Sequence, residues 1–129
     1  MAPIVSLARA AGPTRAGFEQ GAITEAVHRA LDLAGYSPQS PPQTVAIKPN
    51  LRFYWDHSTG ETTDPRVVGA VIDYVRGRWN PEARISVVET DASSMRTRYA
   101  YPLLGYDRLA AEKDVELVNL SEGEMLETQ

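Results

Sequence analysis

Short apolar, β-branched runs alternate with amphipathic helical stretches along this chain, and that alternation most constrains what it can fold into. The runs are Ile4–Ala8, Thr44–Ile47, Arg84–Glu89 and Val115–Asn119. Strands interleaved with helices pair in parallel through right-handed crossovers and carry helices on both faces. The expected fold is therefore α/β: three layers around a mostly parallel sheet, in the order β-α-β-α-β-α-β. A length of 129 residues suits one such domain with a real core, so residues 1–129 read as a single α/β domain.

The helical stretches carry their own start and stop signals. Ile23, Ala26, Val27, Ala30, Leu31 and Ala34 fall at helical spacing, with Gly35 at the left-handed cap position and Pro38 beyond it. His28 lies mid-helix and reads as a surface residue. Asp64-Pro65 opens the second helix, Val68, Ile72, Val75 and Trp79 form its stripe, and Asn80-Pro81 ends it. Met95 to Lys113 reads as helical, broken near Pro102 and Gly105. Val45–Ile47 reads as a fully buried strand, and Val87-Val88 as a strand buried on both faces.

Composition excludes several classes. A net charge of −4 without a basic stripe argues against nucleic acid. No apolar run is long enough to span a bilayer, and Met1-Ala2-Pro3-Ile4 does not resemble a leader, so no membrane partner is expected and the cytoplasm is the expected location. Zero cysteines exclude disulfides, thiolate zinc and cysteine-ligated iron–sulfur clusters within this chain. Two histidines, His28 and His57, argue against a multi-histidine metal site. No acidic spacing matches a metal loop either, so no metal is expected.

Chemistry-bearing residues gather where the strands end. Lys48-Pro49-Asn50 follows the second apolar run. A cation there is expensive to bury unless an anion pairs with it. In open α/β sheets ligands lie beyond the carboxyl ends of the strands. Thr62 and Thr63 precede the positive end of the Asp64 helix, a favourable place for an anion. Asp91 and Ser93 follow the third run. Lys48, Asn50, Thr62, Thr63, Asp91 and Ser93 are thus the expected ligand-binding set. Lys48 and His57, the latter in Trp55-Asp56-His57, are the candidates for catalysis. For each there is a structural alternative: an ion pair of Lys48 with Glu89 or Asp91, a turn at Pro49-Asn50, helix capping at Thr62–Asp64 and again after Glu89. No Walker A sequence or G-x-G-x-x-G run is present, and no pattern commits the chain to catalysis.

Val45-Ala46-Ile47-Lys48-Pro49-Asn50, then Thr62-Thr63-Asp64-Pro65-Arg66-Val67-Val68, Val87-Val88-Glu89, Gly105-Tyr106 and Val115-Glu116-Leu117-Val118 together resemble the DUF362 family over roughly Ile4 to Glu122. These are bacterial and archaeal proteins of unknown function, often with ferredoxin-like iron–sulfur modules elsewhere in the chain. The resemblance implies that residues 1–129 correspond to the N-terminal half of a larger family domain. The iron–sulfur association cannot apply to this chain, which lacks cysteine, and the resemblance names no other cofactor. Glu89-Thr90-Asp91-Ala92-Ser93 stands where many relatives are glycine-rich. The expected function is binding of a small anionic metabolite, phosphate or carboxylate, near Lys48. The alternative is a structural or assembly subunit that self-associates or pairs with a partner chain through an exposed sheet edge.

Overall fold

The structure, a computed structural model, describes residues 4–13 and 17–123. The fold is α/β. Three parallel strands, β1 (Thr44–Ile47), β2 (Arg84–Glu89) and β3 (Glu116–Asn119), form one sheet in the order β1-β2-β3. Four helices accompany them: α1 (Gln20–Ala34), α2 (Pro65–Arg78), α3 (Thr97–Leu103) and α4 (Tyr106–Lys113). The chain divides into two compact units, residues 1–45 with 66–84, and residues 46–65 with 85–129.

In the first unit the stop signal of α1 operates as written, and α2 ends at Arg78, one residue before Trp79. α1 ends at Gly35, whose φ of 67° is the left-handed conformation that glycine adopts without a Cβ penalty, and whose N–H donates to Asp32 O. α2 opens at Pro65 and buries Val68, Ala70, Ile72, Tyr74 and Val75. Full burial of a valine or isoleucine side chain such as Val68, Ile72 or Val75 contributes roughly 1.5–3 kcal/mol. The Tyr74 hydroxyl donates to Asp32 Oδ1 at 2.8 Å, a bond that raises its pKa, while Arg78 pairs with Asp32 Oδ2 at 3.5 Å. His28 is not a surface residue. It is half-buried, its Nε2–H donates to Ala70 O at 2.9 Å, and Tyr74 meets its ring edge-on at 5.3 Å. The carbonyl can only accept, so it fixes the tautomer.

In the second unit β2 pairs with β3 in register from Ser86↔Glu116 to Glu89↔Asn119. Ile85, Val87 and Glu89 of β2 are buried, and Ser86 and Val88 half-buried, as suits a central strand. Tyr101 of α3 shares its hydroxyl between Val87 O (3.1 Å) and Val118 O (2.9 Å), tying β2 to β3. The break between α3 and α4 lies where Pro102 and Gly105 place it. Gly105, at φ 81°, sits at the turn into α4.

Two strand expectations are corrected. Ile4–Ala8 is not a strand: residues 4–13 have no regular structure, and Ile4, Val5 and Leu7 are 66%, 83% and 88% exposed. β-propensity expresses packing against neighbouring strands, and this segment has no strand beside it among the described residues. β1 is not fully buried either. Thr44 and Ala46 are exposed and Val45 and Ile47 half-buried, because β1 is an outer strand of the sheet.

Candidate functional site at the strand ends

Just past β1, the Lys48 ammonium lies 2.8 Å from Glu89 Oε1 and also donates to Pro49 O at 3.0 Å. Glu89 ends β2 with its side chain only 4% exposed. Burying a carboxylate requires compensation, and it has three donors: Lys48, the Thr90 N–H at 2.9 Å on Oε1, and the Leu51 N–H at 3.1 Å on Oε2. Of the two readings of Lys48, the structural ion pair is therefore present, with Glu89 as partner. It ties the end of β1 to the end of β2.

Asn50 closes the loop that follows. Its N–H donates to Thr63 Oγ1 at 2.9 Å, its carbonyl accepts from the Thr63 N–H at 3.0 Å, and its side-chain amide donates to Glu61 O at 3.0 Å. Leu51 and Thr62 make an antiparallel bridge beside it. Residues 50–63 thus form a loop pinned at its base. At its far end His57–Thr59 is a single turn of 3-10 helix, capped where the Ser58 N–H donates to Asp56 Oδ1 at 2.9 Å.

This loop and the α3–α4 turn enclose an open cleft of about 410 Å³. Asp56, His57, Thr62, Thr63 and Pro65 line one side, and Gly105, Asp107 and Arg108 are on the other. Thr62 is 5% exposed, and its hydroxyl is buried with no hydrogen-bond partner. Such a group costs free energy unless something completes it. Thr63 Oγ1 accepts from Asn50, which leaves its O–H to donate. Asp56 Oδ2 lies 3.4 Å from His57 Nδ1 and Asp64 Oδ2 lies 3.5 Å from Nε2. The imidazole thus has a carboxylate near each nitrogen. Tyr106, fully buried, donates its hydroxyl to Thr63 O at 2.9 Å, and burial raises its pKa.

Of the expected residues, Thr62, Thr63 and His57 line the cleft. Asn50 is bonded to Thr63 from behind it, while Lys48, Asp91 and Ser93 are not on its walls. Asp91 caps α3: Oδ1 accepts the Thr97 N–H at 2.9 Å and Oδ2 pairs with Arg96 at 3.3 Å. The Thr97 amide, helped by Arg96, holds the Asp91 carboxyl below its usual range. Ser93 is exposed in a turn closed by the bridge between Ala92 and Met95. Sequence reasoning passed over Arg108, Asp107 and Tyr106. The signal was the Gly105-Tyr106 pair, which marks where α4 starts and hence what its first turn presents.

A second cleft, of about 420 Å³, is lined by Arg52, Phe53, Trp55, Glu61 and Ser94. Among the described residues no set of three or more His, Asp or Glu side chains could hold a metal ion, and no helix is long and apolar enough to cross a membrane.

A parallel α/β sheet with Lys-Pro-Asn after one strand and a pinned loop leading to Thr-Thr-x-Pro defines an α/β protein with a loop-built cleft at its strand ends. The family pattern described as a domain of unknown function, DUF362, matches residues 45–129, and the chain belongs to that family. The match begins at Val45, later than the resemblance at Ile4 suggested, and runs on to Gln129. No curated protein and no solved structure matches the chain.

Proposed function

We propose that this chain binds a small anionic metabolite, a phosphate or a carboxylate, at the carboxyl edge of its sheet, seated in the Thr62–Thr63 cleft. The observation that carries this reading is the buried, unpartnered hydroxyl of Thr62, a residue that lines the cleft. The Thr63 O–H is a second donor. Arg108, in the first turn of α4, also lines the cleft and brings a cation to it. Arg108 is only loosely engaged, 3.8 Å from Glu112. Asp56 and Asp107 share the same walls, so electrostatics favours a singly charged ligand over a polyphosphate. Lys48 and Asn50 act as positioning residues, fixing the loop base through Glu89 and Thr63. His57 is the group placed to exchange a proton with the ligand. Calorimetric titration of inorganic phosphate, glycerol 3-phosphate and lactate tests this. At least one should bind the wild type, and Arg108→Ala should weaken it by about tenfold, as loss of a charge-assisted contact requires. Absence of binding by all three, or equal binding by the variant, would overturn the reading.

A second reading, pairing with another copy of the chain through a sheet edge, is favoured by the exposed Ile4, Val5 and Leu7 on a segment without regular structure. Such a segment is suited to adding a strand beside the outer strands β1 or β3. Light scattering across a wide concentration range tests it. Val5→Asp should reduce the apparent mass if the reading holds, and a concentration-independent monomer would exclude it.

A further inference from the structure

The loop that forms the Thr62 cleft also builds an aromatic wall that the anion reading does not use. Phe53 packs on Tyr54 at 5.0 Å and meets Trp55 nearly edge-on at 5.3 Å and 66°. Tyr54 is anchored, since its hydroxyl accepts the Arg96 N–H at 2.7 Å. Trp55 is nonetheless 47% exposed and lines the second cleft. A large, half-exposed ring that lines a cleft can serve as a stacking surface.

The polar groups of this cleft are uncommitted. Arg52 and Glu61 both line it, yet their charged groups form no ion pair with each other or with any described residue. A carboxylate beside a stacking face accepts from two adjacent N–H donors, and a guanidinium offers a planar donor fork. Trp55 and Glu61 each adjoin a residue of the Thr62 cleft, Asp56 and Thr62, so the loop presents different side chains to each of two sites.

We infer that the Arg52–Trp55–Glu61 cleft binds a planar nitrogen heterocycle with a double N–H donor edge, of the guanine type, stacked on Trp55 with its donor edge on Glu61. The site is independent of the anion reading, and uncharged nucleosides keep the two tests apart. Guanosine and adenosine are titrated into the isotopically labelled chain, observing the two indole N–H signals, Trp55 and Trp79. Guanosine should move the Trp55 indole and leave Trp79 in place, with adenosine weaker. Trp55→Ala, read at the Arg52 and Ser94 amides, should lose at least about tenfold in affinity, as loss of a base–aromatic stack requires, whereas Trp55→Phe should keep most of it. Glu61→Gln should erase the preference for guanosine without abolishing stacking. Thr62→Val should leave guanosine binding unchanged. A Trp55 signal unmoved by either nucleoside, or wild-type affinity in Trp55→Ala, would overturn the site. A preference unchanged in Glu61→Gln would overturn the assignment of the donor edge.

Discussion

Glu89 shows how a single buried charge organises its neighbourhood. Its carboxylate is compensated by one cation and two backbone amides, and each holds a different stretch of chain. Removing the cation strands a buried anion, which costs about 3–5 kcal/mol for a fully buried pair. The Lys48 side chain is 55% exposed, so solvent screening reduces this. Lys48→Ala should therefore destabilise the protein by about 1–2 kcal/mol in urea titrations. A change within error would show that Glu89 is satisfied by its amides alone. Asp91 makes a prediction of opposite dependence on the sequence reading. Its folded pKa is depressed, so the stability it contributes is present above its ordinary value of 3.8 and is lost as pH falls through the folded value. The Thr97 amide signal should shift as Asp91 protonates below that ordinary value, and Asp91→Asn should abolish the acid-side titration at Thr97. An unchanged profile would contradict the capping role. The pairing of Lys48 with Glu89 and the capping after Glu89 were legible as alternatives, because both follow from neighbouring strand ends. The buried Thr62 hydroxyl was not legible, since its burial depends on how the loop closes at Asn50 and Thr63.

At the scale of elements, punctuation was the most readable part of the sequence. Gly35, Pro65, Pro102 and Gly105 each constrain the backbone directly, and the elements start or stop beside them. Strands were harder to read because a strand is defined by its partner. Ile4–Ala8 has strand-like residues and no ladder, and β1 has an apolar sequence but an outer position. The β2–β3 pair is reinforced by Tyr101, whose pKa burial pushes up to about 12. With the folded value raised, its contribution is complete below the ordinary value of 10.0 and is lost as pH climbs through about 12. Chemical denaturation between these limits should show stability falling with pH, with a smaller fall in Tyr101→Phe. At neutral pH that variant should lose about 1 kcal/mol with the hydroxyl's bonds to the strand carbonyls. An equal alkaline slope in the variant would assign the effect elsewhere, first to Tyr106.

For the whole molecule, the alternation of short strands and helices was enough to give a parallel α/β fold, while the position of the cleft was not. A cleft between a pinned loop and the α3–α4 turn is made by residues far apart in sequence, such as Thr62 and Arg108. Only the folded chain brings them together. Thr62 and Thr63 of the expected set line the cleft and Asn50 is bonded to Thr63, whereas Asp91 caps α3 instead. The central claim is that the Thr62 hydroxyl is left without a partner because a ligand completes it. Thr62→Val is the most direct test, because it keeps the shape and removes the hydroxyl. Thermal unfolding and phosphate or lactate titration should be measured on the same samples. The account predicts that the free variant is stabilised by about 1 kcal/mol, the cost of an unsatisfied buried hydroxyl being removed, while its affinity for the anion falls by about tenfold. A variant that melts lower than the wild type and binds the anion equally well would contradict it.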